Sequence, residues 1–131
     1  MEFVHEVTAY LENKPGRLAK ICSALAHEKI DIRALSVMDT ADRGVLRFVT
    51  DDLESTKKVM NALGTKLELV DVLAVEMDNR PGALARILER LAEEHINIEY
   101  AYLATTAKSQ TGLMILRPSN VEKALRALHD L

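Results

Sequence analysis

Two asparagines stand in nearly the same phrase of sequence. Asn13 lies in LENKPG, residues 11–16, and Asn79 in MDNRPG, residues 77–82. A carboxamide offers both a donor and an acceptor, so either is equipped to meet the charged groups of an amino acid. Each phrase runs into an amphipathic stretch, which predicts a helix beginning at the proline. Pro15 and Pro81 suit a first helical position, where no amide hydrogen is needed. Gly16 and Gly82 carry no Cβ and let a ligand or another backbone approach. A helix start adds unsatisfied N–H groups and a positive dipole end, which favour a carboxylate or phosphate. Neither turn has the glycine-rich run of a phosphate cradle. The same residues are also explained as a turn alone, with the asparagine bonding to local backbone.

Other reactive residue types fall outside this phrase. His5, His27, His95 and His129 map to the first strand or to helix ends, and no serine or cysteine is placed with a base in a recognisable catalytic arrangement. A non-enzyme is therefore expected. His5-Glu6 and Glu93-Glu94-His95 hold metal-ligating types but form no closed cluster, so neither metal nor cofactor is called for. Cys22 aligns with Leu88 and reads as a core filler.

The elements that must position the asparagines come in two copies. Laying Leu11–Ile32 over Met77–Ile98 gives eleven identities in twenty-two positions, too many for chance. In each copy an apolar strand (Glu6–Leu11, Val72–Met77) leads into the turn. The helix that follows has its apolar residues at i, i+3, i+4, i+7 and i+8: Leu18, Ile21, Cys22, Leu25 and Ala26, then Leu84, Ile87, Leu88, Leu91 and Ala92. Two strands come next, IDIRALSVMD to Val45–Val49 and INIEYAYLAT to Gly112–Leu116. A second helix opens at Asp51-x-x-Glu54 or Ser119-x-x-Glu122, both with capping-box spacing. The expected fold is α+β: two ferredoxin-like βαββα(β) units, 1–70 and 71–131, each an antiparallel sheet with helices on one face. The apolar run Leu67–Val75 contains no turn, and the second copy has no closing strand of its own. Either one long strand serves both sheets or an edge is left for a partner to cover, which predicts a dimer.

Composition narrows the partners. A net charge of -3 and 28 % charged residues read as a soluble globular protein; the opening residues MEFVHEV lack the basic and apolar regions expected of a secretory leader, and no 18-residue apolar run is present. A cytoplasmic location is the default, without membrane contact. With three tyrosines, two phenylalanines and no tryptophan, the sheet lacks the aromatic pattern of an RNA-binding βαββαβ domain. Tyr10 and Phe48 have Glu76 and Leu116 as counterparts, so nucleic acid is not expected.

βαββαβ units whose first loop reads [D/E]-N-[R/K]-P-G-x-L resemble ACT domains, small amino-acid-sensing modules attached to metabolic enzymes. The match spans essentially the whole chain as two copies, and the second is especially similar to the regulatory domain of phosphoglycerate dehydrogenase. The resemblance implies a free amino acid as ligand. It would be held at an interface between two ACT units, by the first loop of one and the second strand of the other. Transferred by motif position, the loop contacts are Asn13, Pro15 and Gly16, and Asn79, Pro81 and Gly82. Across the interface lie Asn97 and, in the first copy, Asp31. The serine-binding pattern has a histidine where this chain has Leu11 and Met77, a departure that suits a larger apolar amino acid better. A chain of this length resembles the stand-alone tandem proteins, which would act in trans on a metabolic enzyme. The open alternative is a ligand-free dimeric adaptor, for which Tyr100 and Tyr102 would make a contact patch.

Overall fold

The computed structural model describes every residue except Asn13, Ala41 and Asp42. The elements run β1 (Glu2–Leu11), α1 (Arg17–His27), β2 (Ile32–Asp39), β3 (Gly44–Thr50), α2 (Leu53–Ala62), β4 (Leu67–Asp78), α3 (Ala83–Glu93), β5 (Ile98–Ala104), β6 (Thr111–Pro118) and α4 (Val121–Leu128). They form two compact units. The first is His5–Val70; the second is Asp71–Leu131 together with Met1–Val4. β4 is one unbroken strand of twelve residues, of which Leu67–Val70 belong to the first unit and the rest to the second. The apolar run without a turn is therefore a long strand. β1 is divided in the same way, with Glu2–Val4 belonging to the second unit.

Each unit is an antiparallel sheet, in the order β2-β3-β1-β4 in the first and β1-β4-β6-β5 in the second. Alternation along the strands sends one set of side chains to the helices. In the first unit Val7, Ala9, Leu11, Leu46 and Phe48 meet Ile21, Leu25 and Met60. In the second, Leu73, Val75, Met77, Met114 and Leu116 meet Ile87, Leu91 and Leu128. Val45, Val49, Val72, Ala74 and Ile115, on the opposite sheet faces, are also buried.

The helix ends explain several polar residues. Lys29 and His95 take left-handed conformations, φ 58° and 56°. Ile30 N–H donates to the Leu25 carbonyl at 3.0 Å, and Ile96 N–H to that of Leu91 at 2.9 Å. These are Schellman ends, and they give His95 a structural place. At the second helices the caps fall one residue later than the sequence spacing suggests. Asp52 accepts from the Ser55 N–H and Asn120 from the Lys123 N–H, each at 3.0 Å. The Ser55 hydroxyl and N–H hold the Asp52 carboxyl below its ordinary range.

Candidate functional site

The Pro-Gly pairs form the middle of two β-turns. Arg17 N–H donates to the Lys14 carbonyl at 3.4 Å, and Ala83 N–H to that of Arg80 at 3.2 Å. Gly16 has φ 88° and ψ −8°, and Gly82 has φ 90° and ψ −17°. These are type II turns, with proline at the second position and a left-handed glycine at the third. The prolines therefore precede the helices instead of starting them, because a left-handed residue cannot be helical. A Cβ built on either glycine meets nothing within 4 Å. Backbone conformation demands glycine here, and the space beside it is open. Among the described residues neither helix start has a side-chain cap.

Of the two loop asparagines, Asn13 lies outside the described residues. Asn79 is half-buried, and its carboxamide NH2 donates to the carbonyls of Thr106 at 2.8 Å and Ser109 at 3.0 Å. Its backbone N–H donates to the Gln110 carbonyl at 2.9 Å. Asn79 thus pins the β5–β6 hairpin against the turn. Both donors are engaged inside the unit, and the carboxamide oxygen remains as the group it can offer a ligand. The hairpin is also drawn close by Gly112, where a Cβ would collide with the Thr105 side chain and crowd the Ala104 carbonyl.

Beside each turn lies a groove in the same place in its unit. In the first it is about 410 Å³, lined by Tyr10, Leu11, Glu12, Arg17, Lys20, Ile21, Arg43 and Leu63–Lys66. In the second it is about 240 Å³, lined by Met1, Val75–Asp78, Arg80, Ala83, Arg86, Ile87, Leu128 and Leu131. The first volume lies near the low end of the roughly 300–1,000 Å³ of small-molecule sites and the second just below it, which suits a ligand of amino-acid size better than a large cofactor. Glu12 takes Lys14 at 3.1 Å and Arg17 at 3.4 Å, and these cations, Lys14 first, hold its carboxyl below the usual range. In the second groove Arg80 pairs with Asp78 at 3.5 Å.

The family model for an ACT domain pair matches residues 2–129. The chain belongs to the ACT domain family. It is 32 % identical to the crystallised protein BT0572 from Bacteroides thetaiotaomicron, covering 98 % of this chain and 88 % of that one at a TM-score of 0.90. The ligand-free regulatory subunit of aspartate kinase from Thermus thermophilus has the same fold, at 21 % identity, 98 % and 94 % coverage and a TM-score of 0.72. The corresponding subunit from Thermus flavus follows at 21 %, 99 % and 92 %, with a TM-score of 0.64. No curated protein matches the chain. No helix among the described residues is long and apolar enough to cross a membrane.

Within each ACT unit the turn and the cross-interface position lie at opposite ends of the sheet. Leu11 and Asp39 both pair with Gly44 at the turn end, whereas Ile32, next to Asp31, pairs with Thr50. In the second unit Met77 pairs with Gly112, and Ile98, next to Asn97, pairs with Pro118. A strand of this length separates the ends by about 20 Å. One unit cannot present both to a single small ligand. Asp31 and Asn97 have exposed side chains and anchored backbones. Asp31 N–H donates to the Asp51 carboxylate at 3.0 Å, and Asn97 N–H to the Ser119 hydroxyl at 3.1 Å. Asp51 and Ser119, which the sequence suggests as helix caps, hold these strand starts instead.

Sequence reasoning passed over the groove cations Arg17, Lys20, Arg43 and Lys66. The available signal was the mismatch between copies: Arg17 faces Ala83 in the alignment, and Tyr10 faces Glu76.

Proposed function

We propose that this ACT pair is a non-enzymatic regulatory protein that binds a free amino acid and acts in trans on a metabolic enzyme in the cytoplasm. The carrying observation is the repeated mouth beside each Pro-Gly turn: an open glycine, an uncapped helix start and a groove of amino-acid scale. The ligand carboxylate would be drawn to the helix start and its ammonium to an amide oxygen such as that of Asn79. Asp31 or Asn97 would complete such a site from a second copy of the chain, making the working form a homodimer. The repeats 1–70 and 71–131 serve as its two ACT domains. The aspartate kinase regulatory subunits, which share the fold, support a regulatory role.

The competing reading is a ligand-free dimeric adaptor. It is favoured by the engagement of both Asn79 donors within the unit, which explains that asparagine without a ligand. A thermal-shift screen against the twenty amino acids separates the two. Only a ligand that binds the folded form raises the midpoint progressively with concentration. One saturable hit among them supports sensing; a flat screen of a well-folded protein supports the adaptor.

A further inference from the structure

The two grooves share a position but not a charge. In the first, Arg17, Lys20, Arg43 and Lys66 surround a single described carboxylate, Glu12, in a chain whose net charge is -3. Glu12 is already shared between Lys14 and Arg17. Among the described residues neither Lys20 nor Lys66 has a carboxylate partner. The Arg43 guanidinium is held over the Tyr10 ring, 3.8 Å from its centroid, which keeps that charge in the groove wall. The second groove is balanced, with Arg80 and Arg86 against Glu76 and Asp78. Glu76 occupies the position of Tyr10, and Ala83 that of Arg17, so the cationic excess arises where the copies differ.

Among the described residues four cations gather around one carboxylate and repel one another, and a bound anion relieves that repulsion. A zwitterionic amino acid has no net charge and would leave the excess standing. We propose that the first-unit groove is a site for a small multivalent anion, a dicarboxylate or a phosphate-bearing acid, and that the second is not. The chain would then carry two chemically different sites. This extends the proposed function without requiring it, since an anion that is no amino acid satisfies the groove equally.

The test is calorimetric titration of the full chain at low ionic strength with inorganic phosphate, succinate, aspartate, serine and leucine. Phosphate and succinate separate the two sources of negative charge. Three variants accompany the wild type: Lys20→Ala/Lys66→Ala, Lys58→Ala/Lys123→Ala with the same net charge but outside the groove, and Arg86→Ala in the second groove. Saturable binding of phosphate, succinate or aspartate is expected, weakened about tenfold or more in Lys20→Ala/Lys66→Ala as charge-assisted bonds are lost. The other two variants should bind as the wild type does. Equal weakening in Lys58→Ala/Lys123→Ala, loss in Arg86→Ala instead, or no saturable multivalent-anion binding each overturns the assignment. Serine or leucine binding without any multivalent anion would sink this proposal and leave amino-acid sensing intact. Phosphate or succinate binding without any amino acid would do the reverse.

Discussion

At Gly16 and Gly82 the backbone is nearly superimposable, with φ of 88° and 90°, yet the side chains around the two turns differ in kind. The first mouth is cationic and has a tyrosine under an arginine; the second is charge-balanced. Pro-Gly dictates the turn, because only glycine takes the left-handed third position cheaply. It dictates nothing about the walls. Identities between the copies therefore report architecture, and differences between them report chemistry.

The largest effects are expected in the two cores. Leu25 and Leu91 are both 0 % exposed and occupy equivalent helix positions. Each substitution by alanine should cost about 2–5 kcal/mol, read from urea unfolding. Costs far outside that range for one of the pair would show that the repeats are not energetically equivalent. Asn79→Ala comes next, at about 1–2 kcal/mol, from two lost hydrogen bonds to the hairpin carbonyls. Hydrogen exchange should localise its effect to residues 105–110, and unchanged exchange there would remove Asn79 from its pinning role. Gly16→Ala and Gly82→Ala should each cost about 1–2 kcal/mol for forcing an L-residue left-handed. Similar costs at both would affirm that the turns are the same object.

The smallest effects distinguish the two N-caps by pH. Asp52 has its folded value lowered by its bonds to Ser55, so its capping advantage is present above the ordinary carboxylate value of 3.8. That advantage is lost as pH falls through the lower folded value. The destabilisation in Asp52→Ala should therefore shrink on acidification. Asn120 does not titrate, and the Asn120→Ala deficit should stay constant over the same range. Parallel behaviour of the two variants in pH-dependent thermal melts would contradict the assignment of Asp52.

Strands, helices and the repeat were legible in the sequence because each copy carried the same 3.6-residue stripe and strand alternation, so one corroborated the other. The helix start was misplaced by two residues since a Pro-Gly pair fits either a first helical position or a type II turn, and only the glycine conformation decides. Caps slipped by one because Asp51 and Asp52, or Ser119 and Asn120, are adjacent residues with equal capping chemistry. The partners that settle their roles, Asp31 and Asn97, lie 20 and 22 residues away. Asn79 binds carbonyls 27 and 30 residues distant, which no local pattern reveals. The grouping of Glu2–Val4 with the second unit is long-range in the same way.

The most direct measurement of the central claim is a 1H–15N NMR titration of the full chain with the amino acid that the thermal screen selects, or with the twenty-amino-acid mixture if it selects none. Gly16 and Gly82 resonate in the distinct glycine region and report on the two mouths separately. Saturable shifts are expected at Gly82 and Ala83, at Gly16 and Arg17, or at both pairs, with the distant core amides unmoved. Saturable shifts elsewhere with both glycines still, or no shifts at all, would contradict a ligand site at the Pro-Gly turns.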